Sequence, residues 1–355
     1  MPYHIPSLPD PSPPLIGAGQ ERCPYCTSTD IIKKGRRTKK FETVQLWYCQ
    51  HCKKVFTPQL VKHKTYPIRV ILEGLMLYYS GKNLTESAER LRERYGILVQ
   101  PRTLQSWVAA YRPLTTYGRL RARGSKLFPP HQVIRSVRFH HRQVYRYQLH
   151  RGKLALILRE DLQHRAFAPI RDYLETMAEA CPHHLFRTGL RASDVHGKFD
   201  LGTVSIREKT NHATRTATLA LQAVSRRIMR HETLQRFMLA TDSVTVATEV
   251  PVYLTPEDLS HFRREDGFHI PIAMDAVLTG HIDFLQIRNG AVHILDYKPN
   301  ATKEKPIEQL MFYALALSRR TGLRLFDFTC AWFDEHHYYE FFPLHIVHRK
   351  RRRQQ

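Results

Sequence analysis

Two short runs near the C-terminal end of the chain alternate apolar and polar residues and predict a β-hairpin. The runs are residues 280–285 and 293–298, and the dipeptide Asn289-Gly290 lies between them. Asn-Gly between alternating runs is the strongest local signal for a two-residue type I′ turn. Counting outward from such a turn places Asp283 on the first strand opposite Asp296 on the second. The pattern therefore predicts two facing carboxylates.

A third charged group joins these carboxylates. Side chains alternate between the two faces of a strand, so Lys298 shares a face with Asp296. Two facing carboxylates repel each other, and a hard divalent cation with oxygen ligands relieves that repulsion. We therefore predict a Mg²⁺ site at Asp283 and Asp296; the alternative is an exposed hairpin end at which Lys298 neutralises both acids. The other positions on this face are apolar and predict core: Leu285, Ile287, Val292 and Ile294.

The segment after the hairpin has the pattern of an amphipathic helix over 306–320. Pro306 suits the first turn and Gly322 a helix end. Gln309 and Tyr313 are four residues apart, so they lie on one face of that helix. Ordinary helix packing is the alternative explanation for this pair. The apolar stripe consists of Leu310, Tyr313, Ala314 and Leu317.

The order G-H-I-D, D-Y-K and E-Q-L-M-F-Y-A-L-A-L over 280–317 resembles the RecB-like branch of the PD-(D/E)XK nucleases, whose motifs run G-x-x-D, D-Y-K and Q-x-x-x-Y. The resemblance implies an α/β/α restriction-endonuclease-like core with a mixed sheet over 196–347. It also implies that Asp283 and Asp296 ligate Mg²⁺ or Mn²⁺ and that Lys298 orients or activates the attacking water. Gln309 and Tyr313 would line the site. Pro299 departs from the family pattern, which often has a small hydroxyl residue there.

Two upstream segments supply candidates for a further metal ligand. The family often carries a helical histidine, and the predicted helix over 213–237 contains His231. A surface histidine is the alternative. The strand pattern over 245–252 resembles the family's E-x-P strand and places Glu249 beside the hairpin. Of the two residues, Glu249 is the preferred candidate.

Four cysteines near the N-terminus form two C-x₂-C knuckles and predict a zinc ribbon over 18–62. They are Cys23, Cys26, Cys49 and Cys52, with 22 residues between the inner pair. Each knuckle presents two thiolates to one tetrahedral ion. Redox motifs and disulfides are the competing explanations, but neither a βαβ unit nor a signal peptide accompanies the cysteines. The basic segment 32–40 between the knuckles suits phosphate binding, and Cys181 and Cys330 are expected to be buried thiols.

Three helical patterns follow, over 67–79, 83–95 and 101–111, and suggest a helix-turn-helix unit over 63–115. The third helix carries polar side chains that can reach bases or phosphates: Arg102, Thr103, Gln105 and Ser106. The alternative is a small helical bundle with a solvated face. The ribbon and these helices together resemble the N-terminal DNA-binding region of insertion-sequence transposases, although no convincing DDE core follows.

The region 116–195 is assigned no chemistry from its sequence. Its pattern predicts strands over 133–139, 144–149 and 154–158 and a helix over 170–180. The chain is flanked by a Pro-rich segment at 1–17 and a basic tail at 348–355.

Composition favours a polyanionic partner. The 355-residue chain has a formal net charge of +23 and a pI near 10.0, and it contains no apolar run long enough to span a membrane. The sequence thus predicts a multi-domain α/β, zinc-containing, metal-dependent DNA nuclease in the cytoplasm, associated with the nucleoid. Mobile elements, repair and defence are open contexts, RNA is not excluded as a substrate, and the oligomeric state is unknown. The alternative is a DNA-binding regulator or transposition accessory protein with a non-catalytic nuclease fold.

Overall fold

The computed structural model describes residues 22–57, 65–160, 162–195, 199, 201, 204–224, 227–265, 270, 272, 273 and 275–347. The Pro-rich segment 1–17 and the basic tail 348–355 lie outside the described residues. So do residues 18–21 and 58–62 of the expected ribbon and residues 63 and 64 of the expected helix-turn-helix unit.

The secondary structure mixes strands and helices along the whole described chain. The strands are β1 (Ile31–Thr38), β2 (Thr43–Cys49), β3 (Val55–Phe56), β4 (Ile134–His141), β5 (Gln143–His150), β6 (Leu190–Arg191), β7 (Arg207–Glu208), β8 (Thr245–Leu254), β9 (Leu278–Arg288), β10 (Ala291–Tyr297), β11 (Phe328–Phe333) and β12 (Tyr338–Phe341). The helices are α1 (Ile68–Tyr79), α2 (Leu84–Tyr95), α3 (Pro101–Ala110), α4 (Arg121–Leu127), α5 (Pro130–Val133), α6 (Arg151–Glu160), α7 (Ala168–Ala180), α8 (His183–Thr188), α9 (His212–Ala220), α10 (Arg230–Thr241), α11 (Pro256–Arg264), α12 (Ile307–Thr321) and α13 (Leu344–Val347). Short 3₁₀ turns occupy Thr116–Arg119, Gln163–Phe167, Leu221–Ala223, Arg227–Met229 and Leu325–Asp327.

Two sheets organise these elements. β1, β2 and β3 form a small antiparallel sheet. Within the described residues, nine strands form a large mixed sheet in the order β4-β5-β8-β9-β10-β11-β12-β7, with β6 paired to β9. β10 and β11 are parallel, whereas β9 and β10 are antiparallel. A mixed sheet flanked by helices confirms the predicted α/β class and is consistent with a restriction-endonuclease-like core.

Helices cover both faces of the large sheet, because its central strands are apolar on both sides. One face, here called the first face, carries Ile294 and packs against α7 and α12. The opposite face, the second face, carries Leu295 and packs against α9 and α10. The apolar side chains of α1, α2 and α3 belong to the same cluster as the second face. The three helices of the expected helix-turn-helix unit therefore share a hydrophobic core with the large sheet.

Local capping signals explain where two predicted helices begin and end. Asn83 and Glu86 form a reciprocal capping box at the start of α2, and Gly96 ends that helix in a left-handed conformation. Gly322 ends α12 in the same way. These boundaries confirm the helices predicted over 83–95 and 306–320.

Two predictions from the middle of the chain are wrong. Residues 154–158, expected as a strand, lie in helix α6, which follows β5 directly. A short apolar run fits a buried helix as well as a strand, and here Leu154, Leu156 and Leu158 are all buried. The single helix expected over 213–237 is divided into α9, two 3₁₀ turns and α10. Leu221 is buried near α1 whereas Ile228 is 86% exposed, so the two halves of that segment have different surroundings.

β4 and β5 belong to the large sheet, so the region 116–195 contributes to the fold around the candidate site. No helix in the described part of the chain has both the length and the apolar character needed to cross a membrane.

Candidate active site

The hairpin has the geometry that its turn sequence predicts. Asn289 and Gly290 have φ angles of 51° and 69°, as a type I′ turn requires. Regular pairing of β9 with β10 continues to Leu295 opposite Phe284. Asp296 and Asp283 come next in the same register, where the backbone N–H of Tyr297 donates to Oδ2 of Asp283 at 3.0 Å. The predicted register is confirmed up to the last pair before the carboxylates.

Both aspartates have a cationic or ionisable neighbour. The Lys298 ammonium lies 2.8 Å from Oδ2 of Asp296. Nδ1 of His231, on α10, lies 3.4 Å from Oδ2 of Asp283. The structure thus brings His231 to the hairpin carboxylates, from a helix that lies far from them in the sequence.

Glu249 lies on β8, beside Asp283. The neighbouring pairs of β8 and β9 are Thr248 with Phe284 and Val250 with Ile282, which places Glu249 next to Asp283. Its φ is 51°, a left-handed conformation that costs a non-glycine residue about 1–2 kcal/mol. The side chain is held there, since Nε2 of Gln235 donates to its Oε1 at 2.8 Å.

Gln235 is a residue of this site that the sequence did not reveal. It lies four positions after His231 on α10, so both side chains project from one side of the helix. His231 contacts Asp283 and Gln235 contacts Glu249. This i, i+4 spacing was a usable signal, but a helical His–Gln pair is common and has no specific meaning by itself.

The Tyr313 ring packs against Gly280, the glycine that opens the hairpin motif, and Gln309 contacts Tyr313. Nε2 of Gln309 donates to Oη of Tyr313 at 2.8 Å. A Cβ atom at Gly280 would lie 2.3 Å from Cε1 of the Tyr313 ring. Only glycine therefore lets the ring lie on β9, which gives the first position of G-H-I-D a steric reason.

The two hairpin aspartates have opposite pKa shifts. Burial and the charge of Asp283 raise the pKa of Asp296 to about 7. Burial also opposes ionisation of Asp283, but the hydrogen bond and charge of His231 outweigh it and hold the pKa of Asp283 below its usual value. Within the pair, Asp283 is thus the more readily ionised acid.

The surrounding groups are tuned by the same charges. Burial and the charge of Asp283 raise the pKa of Glu249 to about 8. Burial disfavours the charged forms of His231 and Lys298. The nearby aspartates overcome this effect and raise both of their pKa values, Asp283 acting on His231 and Asp296 on Lys298. Binding of a cation at this site is therefore electrostatically favourable.

The donor set fits a hard divalent cation. Three carboxylates on the adjacent strands β8, β9 and β10 offer oxygen atoms, the ligand type that Mg²⁺ and Mn²⁺ prefer, although one oxygen from each does not lie within 4.8 Å of the other two. Oδ2 of Asp296 is buried and pairs with the Lys298 ammonium at 2.8 Å. Asp283 and Asp296 still repel each other, and a bound cation would relieve that repulsion. The residues at the hairpin therefore fit such an ion.

These carboxylates lie in a cavity of about 540 Å³ that is open to solvent. Three arginines line it, Arg142, Arg146 and Arg191, and Arg146 pairs with Glu232 at 2.9 Å. On its wall, Tyr145 stacks on His281 with ring centroids 3.6 Å apart. Tyr147, the neighbouring aromatic residue of β5, is instead buried and donates from its hydroxyl to the carbonyl of Leu174 at 2.7 Å. The cavity lining thus combines acidic and basic side chains.

The four N-terminal cysteines converge at the small sheet. Their sulfur atoms all lie within 4.8 Å of one another, and Sγ of Cys23 is 3.5 Å from that of Cys52. The spacing is close to the value of about 3.8 Å expected for sulfurs at tetrahedral Zn²⁺. The backbone N–H of Tyr25 donates to Sγ of Cys23 at 3.4 Å. The cluster is compatible with zinc.

The polar residues predicted on α3 are presented to solvent for the most part. Arg102, Gln105 and Ser106 are exposed, and Thr103 is half-buried. Ser106 donates to the carbonyl of Thr103 at 2.7 Å. The other side of the helix is buried through Leu104 and Trp107.

Comparison with known proteins finds a family match, and that match covers the candidate site. No curated protein and no solved structure matches the chain. A sequence model of the PD-(D/E)XK nuclease superfamily matches residues 176–327, a segment that includes every residue named above at the hairpin carboxylates. This part of the chain is similar to the PD-(D/E)XK nuclease superfamily, and its mixed α/β core is consistent with the restriction-endonuclease type.

Proposed function

We propose that this protein is a metal-dependent DNA nuclease of the RecB-like branch. The observation that carries the proposal is the convergence of Asp283, Asp296 and Lys298 in an open cavity. Two carboxylates on adjacent strands, one buried and one half-buried, repel each other, and a bound cation would relieve that repulsion. Divalent-metal catalysis of phosphodiester hydrolysis uses this set of groups directly.

In the proposed mechanism, Asp283 and Asp296 hold Mg²⁺ or Mn²⁺, with Glu249 as the preferred third ligand. When bound, the ion supplies positive charge that offsets the charge developing on the phosphate. Lys298 donates hydrogen bonds to the attacking water and adds positive charge beside it. His231 positions Asp283, and Gln235 positions Glu249.

The wall behind these groups keeps them in place. Tyr313 is buried against Gly280 and receives a hydrogen bond from Gln309, so the α12 side of the site is fixed. Catalysis by positioned groups is sensitive to displacements of about 1 Å. We assign Gln309 and Tyr313 to this positioning role.

DNA is the preferred substrate because of the N-terminal elements and the charge. The net charge of +23 favours a polyanion, and the arginines that line the cavity favour the same class of ligand. We assign the four cysteines to structural Zn²⁺ and the exposed side of α3 to DNA contact through Arg102, Thr103, Gln105 and Ser106. These elements would bring the cavity to its substrate, in the cytoplasm and close to the nucleoid.

The decisive experiment is a cleavage assay on linear and closed-circular DNA, single- and double-stranded, with Mg²⁺, with Mn²⁺ and without either. Lys298→Ala should abolish cutting and leave DNA binding nearly unchanged. Lys303→Ala is the matched control, since Lys303 is an exposed lysine of the following loop. Cleavage by the Lys298→Ala variant at the wild-type rate would refute the site. Binding without metal-dependent cleavage by the wild-type protein would instead support the non-catalytic regulator, and cleavage of RNA alone would overturn the substrate.

The DNA-binding role of α3 needs a separate measurement. Arg102→Ala should weaken DNA binding about tenfold at moderate salt and flatten the dependence of affinity on salt concentration. Arg92→Ala removes the same charge from the exposed surface of α2 and serves as the control. Equal effects of the two variants would mean that only net charge matters.

A further inference from the structure

A second group of metal-ligating side chains lies beside the candidate active site. It consists of His141 at the end of β4, Cys181 at the end of α7 and His183 at the start of α8. One ligand atom from each lies within 4.8 Å of the other two. We propose that these three residues bind a zinc ion that is separate from both the four-cysteine cluster and the hairpin carboxylates.

The distances are close to those of a tetrahedral site. Nε2 of His141 is 2.8 Å from Nδ1 of His183 and 4.0 Å from Sγ of Cys181. Around Zn²⁺ with usual bond lengths, two nitrogens lie about 3.3 Å apart and a nitrogen and a sulfur about 3.6 Å apart. Shifts of about half an ångström therefore convert the present arrangement into a coordination site. Two imidazoles and a thiolate form a donor set that favours zinc over magnesium or calcium.

The backbone already holds two of the ligands in a fixed relation. Pro182 separates Cys181 from His183 and has φ −74° and ψ 70°, the geometry of an inverse γ-turn. The N–H of His183 donates to the carbonyl of Cys181 at 2.8 Å, which closes this turn. Both ligands can therefore reach one ion without refolding of the chain.

The third ligand is oriented by its surroundings. Nδ1 of His141 lies 2.9 Å from Nε2 of His281, so His141 can donate from Nδ1 and present Nε2 to the metal. The ring of Phe186 stacks on His141 at a centroid distance of 4.2 Å and an interplanar angle of 11°. A hydrogen-bonded second nitrogen and an apolar shell are the usual environment of a zinc-bound histidine.

The site has an open side and a defined neighbour. Cys181 and His141 are buried, whereas His183 is exposed, so one side of the group faces solvent. His281 lies two residues before Asp283 on β9 and lines the candidate active-site cavity. Zinc at this position would tie the α7–α8 junction to β4 and, through His141, fix one wall of that cavity.

Zinc content per chain tests the proposal on the full-length protein, independently of cleavage activity. His183→Ala should lose one equivalent of bound zinc relative to the wild type, and it should fold because His183 is exposed. His184→Ala, at the exposed neighbouring histidine, should retain the wild-type content. Zinc in the other sites cancels in this difference.

Cobalt substitution provides the second measurement. Cys181→Ser should remove part of the thiolate-to-cobalt absorption, whereas Cys330→Ser, at the other buried cysteine outside the ribbon, should remove none. If His183→Ala binds as much zinc as the wild type, or if Cys181→Ser keeps the full cobalt spectrum, the three residues form only a hydrogen-bonded cluster and the proposal is wrong.

Discussion

Replacement of Gly280 by alanine is the most direct test of how the hairpin is matched to α12. The new Cβ would lie 2.3 Å from Cε1 and 2.9 Å from Oη of Tyr313, whereas ordinary contact begins at 3.4 Å. The ring would have to move by about 1 Å to restore ordinary contact. Tyr313 is 4% exposed, so little free space is available to receive it.

Two magnitudes follow from this displacement. Overpacking a core by one methyl group costs about 1–3 kcal/mol of unfolding free energy. A displacement of about 1 Å among positioning groups costs about 100-fold in rate. Because the DNA-facing surface is not altered, we expect DNA affinity to change little. Gly280→Ala should therefore lower the cleavage rate about 100-fold and destabilise the fold modestly.

The assay combines single-turnover cleavage with denaturant unfolding. Gly152→Ala is the matched control, since its Cβ would meet the Gly124 carbonyl oxygen at an ordinary 3.5 Å. The double variant Gly280→Ala/Tyr313→Ala relieves the clash. Its loss of unfolding free energy should therefore be about 0.5–3 kcal/mol smaller than the sum of the two single losses. Additive single effects, or wild-type cleavage by Gly280→Ala, would refute the steric argument.

Three further predictions concern charge, pH and zinc. Burial and Asp283 oppose the ionisation of Glu249 in the folded protein, whereas the unfolded chain ionises it freely above about pH 4.5. Glu249→Gln removes this penalty, so at neutral pH without added divalent metal it should raise the unfolding free energy by about 1 kcal/mol, yet lower metal-dependent cleavage; a loss of both would contradict the assigned role. Burial, assisted by the charge of Arg288, lowers the pKa of His293 to about 3. The unfolded chain therefore binds more protons than the folded chain below about pH 6.5, so the unfolding free energy should fall as the pH drops from there toward 3. The fall should be less steep in His293→Leu. Equal slopes of unfolding free energy against pH for the two proteins, measured by urea titration, would disprove this. Cys49→Ser should release zinc and unfold only the ribbon, whose small apolar cluster includes Trp47 and Phe56; unchanged zinc content would argue against the metal.

The hairpin could be predicted from the sequence because its information is local. The Asn289-Gly290 turn selects one register, and strand alternation then assigns Asp296 and Lys298 to one face. The same holds for the capping box at Asn83 and the helix end at Gly322. In each case the signal and the structure it specifies lie within a few residues of each other.

The rest of the site depends on contacts between residues distant in sequence. Gln235 acquires its role because α10 is packed beside β8, and no local pattern predicts that packing. The apolar run at 154–158 was compatible with both periodicities, and only its surroundings in the fold make it a helix. The group around His141 joins residues about 40 positions apart, so the sequence did not indicate it.

The packing of α1 against α10 changes how the N-terminal half should be dissected. Glu73 of α1 is buried. Its Oε1 atom lies 2.5 Å from Nη1 of Arg94 on α2 and 3.4 Å from Nη2 of Arg236 on α10, the residue that follows Gln235 in the sequence. Removal of residues 1–115 would thus take α1 away from α10 and leave Arg236 without this partner, so it would destabilise the region of the candidate site itself.

Deletion of residues 1–62 removes the cysteine cluster but leaves α1 packed against α10, with α2 and α3 packed against α1. Loss of DNA binding with retained folding in that shorter deletion is therefore the result that would assign DNA binding to the ribbon. If binding is retained instead, α3 and the arginines that line the cavity are the elements that hold the DNA.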